Sequence, residues 1–165
     1  MYDNNILNTL IVEELSDITS VELGFEENEL AFGVKLVSQN IEINYRELNR
    51  AANRVAHSLL TRYDIRPEER VAVLLDRSQW PIIALLGIMK AGGAYLPVDP
   101  GYPPDRIRYM LEDSECRLVL TESGKEAMLS GLSVSPEIIR IQELDSPEDD
   151  NPSLPVTARS LAYVI

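Results

Sequence analysis

Apolar and polar positions along this chain fall into blocks with different periods. Over residues 1–30 they mix without a sustained repeat, although Ile6, Leu7, Leu10, Ile11, Glu14 and Leu15 suit one short amphipathic helix. Over 30–43 they alternate. Phe32, Val34 and Leu36 share one face, Ser38, Gln39 and Asn40 make a turn, and Ile41 and Ile43 resume, which predicts a β-hairpin. From Asn44 the period becomes helical. Leu48, Ala51, Ala52, Val55, Ala56, Leu59 and Leu60 recur on one side, and Arg46, Arg50, Asn53 and Arg54 on the other. Asn44 is a good N-cap, and Glu47 three residues later completes a capping box. His57 lies at the rim of the apolar stripe, a boundary residue rather than a catalyst.

Beyond a loop at 64–70 that contains Pro67, short apolar runs alternate with helical segments. Residues 71–75 are continuously apolar, the mark of a strand buried on both faces. Ser78 caps the next helix, with Pro81 in its first turn; Ile82, Ile83, Leu85, Leu86, Ile88 and Met89 nearly encircle it, and Gly92 ends it. A strand follows over 94–98, ended or placed at an edge by Pro97. Pro103, Pro104 and Asp105 open a helix that points Ile107, Met110 and Leu111 inward. Then come a strand over 117–120, a short helix over 125–132, a strand over 138–141, an exposed acidic loop over 145–155 and a last apolar run at 161–165. This alternation predicts an α/β fold, a mostly parallel sheet with helices on both faces, preceded by the short hairpin.

Composition narrows the picture. At 165 residues, 45% apolar and 25% charged, the chain suits one ordinary globular domain. No apolar run approaches the ~20 residues of a membrane span, and the N-terminus lacks the features of a secretory signal, so a cytoplasmic protein without a membrane partner is expected. A single Cys and a single His leave no intrachain disulfide and no Cys- or His-rich zinc site. Cys116 reads as a small buried apolar group. The net charge of -12 is uneven. Residues 1–30 carry eight acidic and no basic side chains, 141–165 carry five acidic and one basic, and the middle balances. Acidic ends confer solubility or form a docking arm for a basic partner. A chain without a basic face is not expected to bind nucleic acid.

Candidate chemistry is sparse. Residues 90–94, Lys-Ala-Gly-Gly-Ala, are glycine-rich but lead from helix to strand, whereas a phosphate loop leads from strand to helix. Neither G-x-G-x-x-G nor G-x-x-x-x-G-K-[ST] occurs, nor a G-x-S-x-G elbow. Asp76 and Asp99 both end strands and could pair as acid and base, yet capping and turn duties account for both.

Two stretches carry a resemblance. Residues 43–49, Ile-Asn-Tyr-Arg-Glu-Leu-Asn, resemble the first core motif of nonribosomal peptide synthetase adenylation domains, T/S-Y-x-E-L, through Tyr45, Glu47 and Leu48; Asn44 stands where Ser or Thr is usual. Residues 86–100 are similar to the second, L-K-A-G-x-A-Y-x-P-x-D, through Lys90, Ala91, Gly92, Ala94, Tyr95, Pro97 and Asp99. Residues 70–78 and 102–114 fit the family too, and 161–165 resemble the strand that precedes its third motif. Members activate an amino acid with ATP and Mg, form an aminoacyl adenylate and load it on a carrier-protein pantetheine. The resemblance implies that residues 30–165 are a truncated N-terminal portion of the adenylate-forming fold, and that 1–29 are a weakly packed acidic extension. In members a phosphate loop follows the strand resembled by 161–165; here the chain stops first. The resemblance therefore carries over no catalytic, cofactor-binding or metal-binding residue, and no cofactor for this chain alone. The ten motif residues are read as structural. A fragment inactive by itself is expected, or else a non-catalytic interaction module. The apolar run at 161–165 predicts an open edge, hence self-association or pairing with the complementary remainder of an adenylation domain.

Overall fold

The computed structural model describes residues 23–24, 33–38, 41–129, 136–154, 157 and 160–164. The short helix expected around Ile6–Leu15 and most of the acidic extension 1–29 lie outside the described residues. The chain divides into two units, Met1–Tyr45 and Arg46–Ile165.

In the first unit, β1 (Leu23–Gly24), β2 (Gly33–Ser38) and β3 (Ile41–Asn44) form an antiparallel sheet in that order. The β2–β3 register runs from Lys35↔Asn44 to Ser38↔Ile41, so the reversal falls where the alternation predicted it. β1 pairs with β2 through Leu23↔Val34 and Gly24↔Gly33, a strand that the aperiodic pattern before residue 30 did not signal.

The second unit is built on a four-stranded parallel sheet of β4 (Arg70–Leu74), β5 (Ala94–Pro97), β6 (Leu118–Thr121) and β7 (Glu137–Arg140), in the order β5-β4-β6-β7. Among the described residues three helices surround it: α1 (Tyr45–Arg62), α2 (Trp80–Lys90) and α3 (Pro104–Asp113). Period-2 geometry sends alternate residues of each strand to opposite faces. Ala72, Leu74, Leu96, Val98 and Val119 meet Ile107 and Leu111 of α3 in one core cluster. Val71, Val73, Leu118 and Leu120 point the other way and are also buried. α2 packs against β4 and β5, and α1 meets α2 where Gly87 faces Val55. A Cβ on Gly87 would lie 2.5 Å from Val55 Cγ1, so glycine sets the closeness of this crossing. The fold is α/β, as expected.

Local expectations need several corrections. α2 starts at Trp80, not at Ser78; the Ser78 hydroxyl accepts the Trp80 N–H at 3.2 Å, and Gln79 occupies the cap position without a side-chain bond. The helix expected over 125–132 is a 3-10 turn, Glu126–Leu129, and 130–132 lie outside the described residues. β6 and β7 are displaced by one residue from the expected strands. Among the described residues of the run at 161–165, Tyr163 makes an isolated parallel bridge with Tyr95 rather than a strand. The Tyr95 N–H donates to Ala162 O at 3.1 Å, and the Val164 N–H donates to Tyr95 O at 3.0 Å. The Tyr95 and Tyr163 rings lie 5.8 Å apart, and Val164 packs on the core. This segment thus covers part of the outer edge of β5, which narrows the open edge that was expected there.

Candidate functional site: the carboxyl ends of the strands and the second motif

In a parallel α/β sheet, ligands collect at the carboxyl ends of the strands, where neighbouring strands lead off in opposite directions. Here β4 leads to β5 on one side and β6 leads to β7 on the other, so the crevice falls between Leu74–Asp76 and Thr121–Glu122. The chain fills that crevice with its own groups. The Asp76 N–H donates to Glu122 Oε1 at 2.7 Å, and Lys125 Nζ lies 2.6 Å from Asp76 Oδ1. The buried Thr121 hydroxyl donates to Leu74 O at 3.1 Å. Asp76 thus holds a cation, while Asp99 accepts the Gly101 N–H at 2.7 Å inside its own turn. Each carboxylate has a structural partner. No group of three or more metal-ligating side chains occurs among the described residues.

The second motif forms one continuous corner. Lys90 ends α2, and Ala91 caps it with its N–H on Gly87 O at 2.9 Å. Gly92 has φ 80°, the left-handed conformation that lets the chain leave the helix. Its carbonyl accepts the Glu68 N–H at 2.7 Å. Gly93 has no room for a side chain: a Cβ would lie 2.7 Å from Ile65 Cδ1 and 3.1 Å from Glu69 O. Ala94 and Tyr95 are then delivered, buried, into β5 beside β4; Pro97 ends the strand and Asp99 closes the turn before α3. The first motif lies on another element, the opening turn of α1, where Leu48 is buried while Tyr45 and Glu47 are exposed. Burial holds the Lys90 amine below its ordinary value, and the amine donates to Asn151 Oδ1 at 2.7 Å. Burial pushes the Cys116 thiol up, as a packed, unreactive sulfur requires.

Opposite the crevice, at the amino ends of β4 and β6, lies an open groove of about 490 Å³ lined by Tyr63, Arg66, Glu68 and Glu115 among others. Two ion pairs cross it, Arg117–Glu69 at 2.6 Å and Arg70–Glu115 at 3.2 Å. Burial acts to raise the Glu69 carboxyl, but hydrogen bonds from Arg117 and from the Arg66 backbone outweigh it and hold the group below its ordinary value. Nothing local along the chain announces these pairs or Lys125–Asp76, because their partners stand 45 to 49 residues apart.

Fold and motif geometry together define an adenylate-forming scaffold, and the chain belongs to the AMP-binding enzyme family, which matches residues 27–165. It is 39% identical over 150 residues to tyrocidine synthase 1 of Brevibacillus parabrevis, covering 88% of this chain and 14% of that protein. It is 39% identical over 134 residues to N-(5-amino-5-carboxypentanoyl)-L-cysteinyl-D-valine synthase of Amycolatopsis lactamdurans, covering 80% of this chain and 4% of that protein. Among solved structures it superposes on the nonribosomal peptide synthetase FmoA3 in its AMPPNP-bound form with a TM-score of 0.66 and 30% identity, over 78% of this chain and 14% of that one. The chain therefore spans a small part of the length of the relatives it matches. Among the described residues, no helix is long and apolar enough to cross a membrane.

Proposed function

We propose that this chain supplies the opening scaffold of an amino-acid-activating adenylation domain of nonribosomal peptide synthesis in the cytoplasm, and that these 165 residues alone do not form the adenylate. The observation that supports this reading is the corner built by Lys90–Asp99. Its residues bond within the scaffold, Lys90 to Asn151, Gly92 to Glu68 and Asp99 to Gly101, or fill the core, as Ala91, Ala94 and Tyr95 do. A triphosphate needs convergent amides at a helix start and an available cation. The sequence holds no phosphate-loop motif, and Lys125 at the carboxyl ends is engaged by Asp76. In the complete domain, ATP and Mg would be held by groups beyond these elements, with a carrier-protein pantetheine as acceptor; nucleic acid is no partner.

Calorimetric titration of the chain with Mg-ATP should show no saturable heat, and amino-acid-dependent pyrophosphate exchange should stay at background. A micromolar Kd or measurable exchange would overturn the reading. A second reading, a module that self-associates or pairs with the remainder of an adenylation domain, is favoured by one feature. Leu161 and Tyr163 are 42% and 39% exposed on the segment that now forms the outer edge beside β5. Light scattering across a salt series tests it, with deletion of 160–165 as the control. A strictly monomeric chain at every salt and concentration would exclude self-association.

A further inference from the structure

Residues 141–151 cross the polar side of α1 and are fastened there along its length. Ile141, Leu144 and Ser146 are buried beneath the crossing. Above them, Arg54 pairs with Asp145 at 3.1 Å, Arg50 with Asp149 at 3.5 Å, and Arg62 donates to Glu143 O at 3.0 Å. Asn53, wholly buried, donates its Nδ2 to Asp149 O at 2.7 Å, while its Oδ1 has no partner among the described residues.

His57 differs from these fastenings. Its side chain is only 12% exposed, and both ring nitrogens face oxygen acceptors. Nδ1 lies 3.0 Å from Glu148 Oε2, and Nε2 lies 2.9 Å from Asp150 O and 3.5 Å from Asp150 Oδ1. A neutral imidazole has one N–H and one lone pair, so in that form one nitrogen would turn its lone pair on an acceptor. Only the imidazolium, with two N–H donors, makes both bonds. We infer that residues 141–151 form a proton-dependent clasp on α1, with His57 as its catch.

Protonated His57 holds the clasp closed; loss of the proton leaves one neutral N–H···O bond and turns the lone pair of the other nitrogen on its acceptor, so that contact becomes repulsive. Glu148 and Asp150 face His57 directly; the other charged groups along the clasp are Glu143, Asp145 and Asp149 on it, Arg50, Arg54 and Arg62 on α1, and Lys90 on α2, which bonds Asn151. Histidine is the side-chain type whose charge ordinarily changes between pH 5 and 8, and this chain has one. The closed state is also poised: opening would let water reach the unpartnered Asn53 Oδ1, which removes a burial penalty.

The test is amide exchange of residues 143–151 at fixed ionic strength between pH 5.5 and 8.0, with intrinsic exchange rates divided out. The protection factors should fall about tenfold as pH rises, the effect of losing one charge-assisted bond. The emission of Trp80, the chain's single Trp, should change in step, because it lines the groove beside Gln142, Leu144 and Asp145. In Glu148→Gln the side-chain amide can donate to an unprotonated ring nitrogen, so this exposed substitution should keep the fold and flatten the response. His57→Gln should flatten it too. Protection that does not change with pH, or an unchanged response in Glu148→Gln, would overturn the inference; that variant leaves Lys90 untouched, so a surviving response would point to another group.

Discussion

Helices α1 and α2 lie against one another and are stabilised in opposite ways. α2 has no exposed residue along its 11 positions, and its close approach to α1 depends on an absent side chain at Gly87. α1, with 18 residues, has a buried stripe and a polar side, and that polar side is fastened down by charged groups from a distant segment. The contrast teaches where each kind of force acts. Apolar burial is short-ranged and unforgiving of shape, so it fixes the helix–helix contact. Ion pairs at the surface are weak and screened, so they can hold a strap that opens without unfolding the body.

Leu59, fully buried on α1, should lose about 2–5 kcal/mol of stability on replacement by Ala, measured by urea unfolding. Gly87→Ala should lose about 1–3 kcal/mol, because the new methyl group meets Val55, and Val55→Ala on top of it should restore part of the loss. If the double variant is as unstable as the sum of the two single ones, the clash is not the cause. Arg54→Ala should change stability by less than about 1 kcal/mol, since both partners are well exposed, with any effect fading at high salt. Glu69→Gln sharpens the pH side. A carboxyl held low in the folded state contributes stability that is present above the ordinary value of 4.5 and lost as pH falls. The native chain should therefore lose stability more steeply on acidification than the Gln variant, by thermal melts from pH 6 to 3. Equal slopes would show that the Arg117 pair contributes nothing.

How much of this could be read from the sequence follows from range. α1 was legible because its period repeats over five turns, and β4 and β6 because a strand buried on both faces is a short, mainly apolar run. The motif corner was legible as a turn, since Gly92 and Gly93 mark a helix exit wherever they occur. The clasp was not legible. Residues 145–155 have the prolines and carboxylates of a solvated loop, and nothing local says that Asp145 meets Arg54, 91 residues away. For the same reason the sequence placed Arg50 and Arg54 opposite the apolar stripe without showing what they meet. Ser78 failed as a cap because a hydroxyl accepts an N–H equally well one step earlier, in a turn before the helix. The tail at 161–165 was legible as apolar, but its docking on Tyr95 depends on which edge of the finished sheet is vacant, a property of topology alone.

The strand order has a consequence for how the chain is made. β4 is central, yet its partner β6 ends about 47 residues after it. At ribosomal speeds of about 5–20 residues per second, the nascent β4 waits roughly 2–10 s with the hydrogen-bonding edge that β6 will take still open. α2, which covers one face of β4, is synthesised in that interval, so the helix without any exposed position serves as an early shelter for the strand at the centre of the sheet.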